Sequence, residues 1–339
     1  MCIITAIDRV SYLCVEHISK KFDKGETVLK NAGFEVKKGE IAALLGESGS
    51  GKTTLLRIIA GFESHDSGTI KLDGKVLSSE SAFVSPEKRQ IGMIFQDYTL
   101  FPHMTVKENI AFGMDDKRNA DERIQRWLKI VDLEGYENRL PFELSGGQQQ
   151  RVAIARSLIV EPAILLMDEP FSNLDEGNKN KVRKELKKII KKSNTTVLFV
   201  THDMKDALAI ADRLVILKDG EVIQSDSPDT IFRKPGCVNV AEIFGKVNML
   251  NDATLQSMRS SFSNNGSIAI IRPFDVELSR EKGAIDVTIK SCTFMGDHYD
   301  IDITTPFQEF HVHSQKPFEE GEQVKMEIPT DKIIMTKSL

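Results

Sequence analysis

This sequence has few cysteines and no long apolar run, which argues against a disulfide-rich protein and against a membrane-spanning one. The four cysteines stand far apart without a C-x-x-C pair: Cys2, Cys14, Cys237 and Cys292. This spacing favours reduced thiols over a disulfide framework or a zinc site. No apolar run approaches the roughly 18 to 20 residues that span a bilayer. The apolar start, Met1 to Ile7, lacks the basic flank of a signal peptide. Any membrane role is therefore expected to act through a partner.

An excess of either charge is also missing. The chain has 45 basic and 50 acidic residues among 339, for a net charge of −5. Because nucleic-acid binding usually leaves a basic footprint, we expect no nucleic-acid partner. With 40% hydrophobic and 28% charged residues, the composition is that of an ordinary globular protein, and the length predicts two domains.

A glycine-rich segment follows the apolar run Ile41 to Leu45 and precedes a helix-like stretch. It matches G-x-x-x-x-G-K-[ST] through Gly46, Glu47, Ser48, Gly49, Ser50, Gly51, Lys52 and Thr53. Such a turn points backbone N–H groups into one concavity, and the following helix adds its partially positive N-terminus. We expect Lys52 to reach the β- and γ-phosphates of ATP, Thr53 to ligate Mg²⁺, and Thr54 to complete the nucleotide-binding turn. The segment predicts a phosphate-binding loop, or P-loop.

Acidic residues end a second apolar run, Ala163 to Met167. It is typical of a buried parallel strand, and Asp168 and Glu169 follow at the end where open α/β sheets bind ligands. Beside a P-loop, Asp168 is expected in the Mg²⁺ shell and Glu169 is expected to polarise the attacking water. A third apolar run, Thr195 to Val200, leads to His202, which either contacts a γ-phosphate at the same edge or is a structural histidine.

A second glycine turn, Leu144-Ser145-Gly146-Gly147-Gln148, precedes the helix-like stretch Gln149 to Val160. Ser145 and the backbone of Gly146 and Gly147 are expected to form a second anion cradle, with Gln148 beside it. One chain then carries two half-sites for a γ-phosphate. This turn resembles the signature of the ATP-binding cassette (ABC) family.

Other segments resemble the same family in the expected order. Phe22 matches the aromatic residue that stacks on adenine, although it could equally belong to the core of the first sheet. Gln96 matches the glutamine that links the Mg²⁺ site to the permease. Asp175, in Ser172-Asn173-Leu174-Asp175, lies in the loop that crosses the dimer seam, where the family more often has a small residue in place of Asn173. His202 matches the switch histidine.

The resemblance implies an α/β fold, namely a P-loop NTPase cassette with a helical subdomain. It also implies an ATPase that uses ATP and Mg²⁺, with Glu169, His202 and Gln96 in catalysis and Thr53, Gln96 and Asp168 around the metal. In this family two cassettes pack head to tail as a homodimer. Each ATP then lies between the P-loop of one chain and the signature of the other.

The segment Pro86 to Gly113 narrows the resemblance to ATPases of prokaryotic importers for iron(III), polyamines, maltose, sulfate and molybdate. Such ATPases lie at the cytoplasmic face of the membrane and bind permease subunits, which receive solute from an extracytoplasmic binding protein. Residues around Phe101 and Met104 are expected to contact the permease, whereas Val106 is expected to pack internally. Iron(III) is the leading cargo, because Asp97-Tyr98 is most similar to the iron(III) and polyamine branches. Polyamine, sulfate, molybdate or sugar remain alternatives, as does a soluble ABC ATPase outside transport.

Two further stretches complete the sequence-based predictions. Lys179 to Lys192 holds eight basic residues and one Glu, which predicts an amphipathic helix with a solvated charged face, or a contact with anionic lipid. The cassette is expected over residues 1–242. Alternating segments in residues 243–339 predict a small all-β domain, an OB-like barrel in regulation or dimerisation. We expect its histidines, His298, His311 and His313, to be structural rather than metal ligands.

Overall fold

The computed structural model describes residues 11–22, 25–96, 100–114, 118–172, 176–257 and 267–337. The chain divides into two compact units, with the boundary between Pro228 and Asp229. The sequence predicts that the ATP-binding cassette ends at residue 242, and this functional boundary remains a prediction.

Within the described ranges, the first unit combines eleven strands with six α-helices. Its strands are β1 (Leu13–Lys21), β2 (Thr27–Val36), β3 (Ile41–Leu45), β4 (Ser67–Leu72), β5 (Lys75–Ser79), β6 (Ala82–Phe83), β7 (Ile91–Ile94), β8 (Ile164–Asp168), β9 (Thr196–Thr201), β10 (Arg213–Lys218) and β11 (Glu221–Asp226). Its helices are α1 (Lys52–Ala60), α2 (Val106–Ala111), α3 (Ala120–Ile130), α4 (Gly146–Leu158), α5 (Glu176–Ser193) and α6 (Met204–Ile210).

A six-stranded sheet carries the parallel strands predicted from the apolar runs. Its order is β11-β10-β3-β9-β8-β7, and all neighbours except β10 and β11 run parallel. Every residue of β3 and β9 is buried, as expected for strands covered on both faces. Because parallel strands end on the same side of a sheet, the segments that follow β3, β7, β8 and β9 meet at one edge.

A second, antiparallel sheet has the order β2-β1-β4-β5-β6. One hydrophobic core joins residues of this sheet, helix α1 and the six-stranded sheet, with Leu13, Leu44, Leu56 and Leu166 among its fully buried members. Strand β2 passes close to the P-loop, since a Cβ atom on Gly51 would lie 2.8 Å from the carbonyl oxygen of Val28.

Helix α1, which follows the P-loop, is fixed at its C-terminal end by a buried arginine. The guanidinium of Arg89 donates hydrogen bonds to the carbonyl oxygens of Ile58 and Ile59, both at 2.8 Å. These carbonyls belong to the last turn of the helix, where no donor four residues further on belongs to the helix; that of Ile58 also accepts from the N–H of the capping Gly61 at 3.1 Å. A cation at this end also opposes the helix dipole favourably. Arg89 therefore helps to hold α1, and with it the P-loop, against the sheet.

The second unit is rich in strands, as predicted. Its elements are α7 (Pro228–Arg233), α8 (Val238–Glu242), β12 (Asn248–Leu250), α9 (Asp252–Ser257), β13 (Ser267–Ile271), β14 (Glu277–Ser279), β15 (Ile285–Phe294), β16 (Tyr299–Thr304), β17 (Glu309–Ser314), β18 (Gln323–Glu327) and β19 (Ile334–Lys337). In the part of the chain that the structure describes, the strands form two antiparallel sheets, β12-β13-β19 and β14-β18-β15-β16-β17. Their apolar residues share one core, which includes Ile271, Val287, Ile301 and Val312.

Candidate functional site

The P-loop connects β3 to α1 in the predicted place. Gly49 and Gly51 have φ angles of 83° and 101°, a left-handed conformation that favours glycine. At Gly46, a Cβ atom would lie 2.2 Å from the carbonyl oxygen of Leu217, so no larger residue fits there. The buried hydroxyl of Ser50 has no hydrogen-bond partner within the described residues. Glycine thus shapes the loop, and Ser50 holds a polar atom that a phosphate oxygen can satisfy.

Lys52 extends back over this loop from the first turn of α1. Its Nζ atom donates to the carbonyl oxygens of Gly46 and Glu47 at 2.8 and 2.7 Å. Burial lowers the pKa of Lys52, while the nearby carboxylates of Glu169 and Asp168 oppose that shift. The ammonium group therefore lies beside the loop, with both carboxylates of the strand tip in its electrostatic environment.

Thr53 and Asp168 meet across the gap between α1 and β8. The hydroxyl of Thr53 donates to Oδ1 of Asp168 at 3.3 Å. Burial raises the pKa of Asp168, Glu169 adds to this, and the hydrogen bond from Thr53 opposes it. A hydroxyl and a carboxylate next to a phosphate cradle are the oxygen ligands that Mg²⁺ prefers. The two residues thus fit the predicted metal shell.

Glu169 and His202 form the other polar pair at this edge. Strand pairing aligns Asp168 with Val200, which brings the residues after β8 and β9 together. Nδ1 of His202 lies 3.1 Å from Oε1 of Glu169. An ionised carboxylate only accepts hydrogen bonds, so this contact is a hydrogen bond to ionised Glu169 in the tautomer that carries the proton on Nδ1. Glu169 is a quarter exposed and His202 more than half exposed, so both are accessible to solvent.

The turn that carries His202 is held by Arg183, a residue that the sequence reasoning missed. Arg183 lies within α5 and forms ion pairs with Asp206 and Asp203. Asp206 also accepts a hydrogen bond from the hydroxyl of Thr201 at 3.1 Å. The predicted amphipathic helix is present, but Arg183 is only 3% exposed, unlike the solvated charges expected on its outer face. Its apolar neighbours Val182 and Leu186 were the available signal that this part of the helix faces inward.

The signature turn is the N-terminus of α4. The hydroxyl of Ser145 accepts from the N–H of Gln148 at 3.4 Å, and the side-chain oxygen of Gln148 accepts from the N–H of Ser145 at 2.9 Å. This reciprocal capping starts the helix at Gly146, three residues before the predicted start at Gln149, because Ser145 is an efficient helix cap. Ser145 and Gly146 are exposed to solvent, as required of a surface that meets a second molecule.

The signature helix is also tied to the tip of β8. The amide of Gln150 donates to the carbonyl oxygen of Pro170 at 2.9 Å, and Gln150 is 1% exposed. Pro170 directly follows Glu169. A displacement of α4 would therefore reach the segment that carries the expected general base. Sequence reasoning did not single out Gln150.

The remaining predicted residues lie around this edge. Gln96 is exposed and follows β7, whose residue Ile94 pairs with Met167 of β8, so it lies at the same edge of the sheet as Asp168 and Glu169. Phe22 directly follows β1 and is 40% exposed, and Nζ of Lys20 lies 5.0 Å from its ring centre. Its stacking on adenine remains a prediction. Asp175 lies outside the described residues. The structure thus places the P-loop, Asp168, Glu169, His202 and Gln96 at one edge of the six-stranded sheet. The signature turn does not belong to this edge and lies at the start of α4.

Comparison with known proteins identifies relatives of this chain. The family model described as ABC transporter matches residues 29–172. The spermidine/putrescine import ATP-binding protein PotA of Clostridium novyi (strain NT) is 39% identical over 95% of this chain and 97% of its own length. PotA of Clostridioides difficile (strain 630) is also 39% identical, over 94% of this chain and 96% of its own.

Solved structures of similar fold are cassettes as well. CbiO1 of Clostridium perfringens, part of the ABC transporter complex cbiONQ, has a TM-score of 0.60 at 30% identity and covers 66% of this chain and 90% of its own. The dimeric post-hydrolysis structure of the ATP-binding cassette MJ0796, bound to ADP and Pi, has a TM-score of 0.53 at 34% identity. It covers 63% of this chain and 98% of its own.

The chain therefore belongs to the ABC transporter family. Within that family it is an ATP-hydrolysing subunit of the importer group, and the predicted P-loop cassette fold is confirmed. Of the helices in the described ranges, none has the length and apolar character needed to cross a membrane.

Proposed function

We propose that this chain supplies the ATP-driven step of a polyamine importer. The observation that carries the proposal is similarity over nearly the whole chain to subunits named for spermidine and putrescine import, at 39% identity. Iron(III), the leading expectation from the sequence, has no support among these relatives. Polyamine, one of the alternatives, replaces it.

The edge of the six-stranded sheet suggests how each residue serves hydrolysis. The P-loop and Lys52 bind the phosphates, and bound Mg²⁺, held by Thr53, Asp168 and Gln96, would neutralise their charge. Glu169 polarises the attacking water as general base. His202 keeps Glu169 in place through its Nδ1–H and senses the γ-phosphate.

A composite site between two chains completes this proposal. Ser145 and Gly146 lie at the exposed N-terminus of α4, where they and the backbone of Gly147 can bind an anion held by the P-loop of a second chain. A head-to-tail homodimer supplies it, with Asp175 at the seam and Phe22 stacked on adenine. The dimeric cassette of similar fold supports this arrangement.

The surface for a permease is expected beside helix α2. Aromatic rings stay accessible there, since Phe112 is 59% exposed and its ring centre lies 4.2 Å from that of Phe101. Val106, in contrast, is buried, in agreement with its expected internal packing. We propose that permease subunits bind this aromatic surface and hold the ATPase at the cytoplasmic face of the membrane. An extracytoplasmic binding protein would deliver the polyamine to them.

Uptake by whole cells tests the cargo. Deletion of this chain in its host should abolish uptake of labelled spermidine and leave iron(III) uptake unchanged. The parent chain should restore uptake, as should the control Glu122→Gln, which changes an exposed carboxylate on α3. Glu169→Gln should not. Unchanged spermidine uptake after deletion, or loss of iron(III) uptake instead, would contradict the proposed cargo.

A further inference from the structure

One face of the second unit carries a cluster of histidine and aspartate side chains that the ATP site does not use. The cluster lies on strands β16 and β17, which pair Asp300 with His313 and Asp302 with His311, and on Asp297 and His298, which directly precede β16. The alternate residues of both strands belong to the core: Ile301, Ile303, Phe310 and Val312. Because successive side chains of a strand point to opposite faces, the histidines and aspartates project from the outer face.

Two imidazoles of this cluster converge on one carboxylate oxygen. Oδ1 of Asp300 lies 2.9 Å from Nε2 of His298 and 3.3 Å from Nε2 of His313. One ligand atom from each of the three residues lies within 4.8 Å of the other two. In a tetrahedral zinc site with bonds of about 2.0 to 2.2 Å, ligand atoms are about 3.3 to 3.5 Å apart. Small side-chain adjustments thus suffice to enclose an ion.

The ring of His298 is already oriented as a metal ligand requires. Its other nitrogen, Nδ1, lies 2.6 Å from Oδ1 of Asp297. Metal-binding histidines usually donate their second N–H to a carboxylate or carbonyl, which leaves the first nitrogen free to bind the ion. With Nδ1–H directed to Asp297, Nε2 faces Asp300 and donates to it at 2.9 Å; an ion that displaces this proton meets the nitrogen lone pair in the same direction.

His311 reinforces the same arrangement from the neighbouring position on β17. Its Nδ1 lies 2.8 Å from Oδ1 of Asp302, and its Nε2 lies 3.6 Å from Oδ2 of Asp300. The ring thus faces the oxygen of Asp300 that the other two histidines do not contact. His311 acts as a positioning residue, because it fixes the carboxylate plane of Asp300.

Ordinary surface ion pairs do not explain the cluster well. Such pairs contribute little to stability, so they give no reason for three rings to gather around one aspartate. Here the ring centres of His298 and His313 are 4.4 Å apart, those of His311 and His313 are 5.4 Å apart, and all three rings share one carboxylate. The imidazoles of His298 and His313 repel one another in this space when both are protonated, whereas a divalent ion binds both in the neutral form.

We propose that His298, Asp300 and His313 bind a divalent transition metal ion. Two imidazoles and one carboxylate suit Zn²⁺, Co²⁺ or Ni²⁺ better than Mg²⁺ or Ca²⁺, which prefer oxygen ligands alone. Three protein ligands leave one position of a tetrahedral ion open for an exogenous ligand. The ion would fix the outer face of the β16–β17 pair.

Calorimetric titration of the full chain with Zn²⁺ tests the proposal without measuring ATPase activity. Excess Mg²⁺ and no nucleotide should be present, so that the oxygen ligands of the P-loop site do not contribute. We expect about one equivalent of Zn²⁺ per chain, and a tetrahedral visible spectrum with Co²⁺. The double variant His298→Ala/His313→Ala should lose both signals, and His17→Gln, a change to an exposed histidine of the first unit, should keep them.

Graded variants separate metal binding from a fault in folding. His311→Ala should weaken Zn²⁺ binding about 10- to 100-fold without abolishing it, as expected for a positioning residue. Asp300→Asn should abolish binding while it keeps the size of the side chain, and circular dichroism should show the parent fold. Equal binding by the parent and the double variant, or no binding by the parent, would overturn the proposal.

Discussion

Replacement of Glu169 by glutamine tests the chemical step most sharply. The change removes one charge and the ability to accept a proton, but it keeps the size of the side chain and an oxygen that can accept a hydrogen bond from His202. That contact is 3.1 Å long and partly exposed, so its alteration should leave the fold intact. ATP binding should persist, because the P-loop and Lys52 are unchanged.

The expected size of the effect follows from the role of a general base. Loss of such a group lowers the rate about 10²- to 10⁴-fold, which corresponds to about 3 to 5 kcal/mol in the barrier. Single-turnover hydrolysis of ATP measures this step directly, and equilibrium binding of labelled ATP measures the other half of the prediction. Glu122→Gln, with the same change at a distant exposed position, should match the parent in both.

Two results would refute this reasoning. Hydrolysis by Glu169→Gln near the parent rate would show that another group polarises the water. A parallel loss of ATP binding would show that Glu169 shapes the nucleotide site rather than the reaction.

Three further predictions follow from the same geometry. Lys52→Ala should weaken ATP binding itself, because it removes the charge that meets the phosphates; unchanged affinity by equilibrium dialysis would contradict this. Arg183→Met should lower the free energy of unfolding by about 3 to 5 kcal/mol, because it leaves the buried Asp206 without its cation. Denaturant titration should show recovery in Arg183→Met/Asp206→Leu, and no recovery would refute the ion-pair explanation. Burial and the hydrogen bond to Glu16 raise the pKa of Cys14 to about 12. Since the thiolate is the reactive form, alkylation of Cys14 should be slow at pH 8 and accelerate with rising pH; fast modification at pH 8 would disagree.

The parts of the site that could be predicted from the sequence are those whose structure depends on residues adjacent in the chain. The P-loop lies between β3 and α1 because a buried strand, glycines with positive φ and a helix N-terminus follow one another directly in the chain. Asp168 and Glu169 end β8 for the same kind of reason, since an apolar run of strand length needs a polar end. Parallel pairing then placed both beside His202.

Other features depend on packing between distant segments and were missed. Arg183 stands in a run of basic residues, and only the docking of α5 against α6 distinguishes this buried cation from its solvated neighbours. Arg89 likewise needs the end of α1, some 30 positions away, to explain its burial.

The histidine cluster shows a third limit of sequence reasoning. D-x-D and H-x-H stand on separate strands, so their meeting depends on the register that pairs Asp300 with His313. The alternation with buried Ile301 and Val312 was a usable signal, because it places both motifs on one face. The histidines nevertheless remained scattered single residues until the strands were paired.

Mixed dimers test the composite ATP site most directly. Lys52→Ala and Ser145→Arg should each abolish hydrolysis alone, because every site in such a homodimer lacks either its P-loop charge or its signature. In an equal mixture with random pairing, half of the dimers hold one intact site of two, so about a quarter of the parent activity should return. A mixture as inactive as the separate variants, with dimers verified by light scattering, would show that the two anion cradles do not share one ATP.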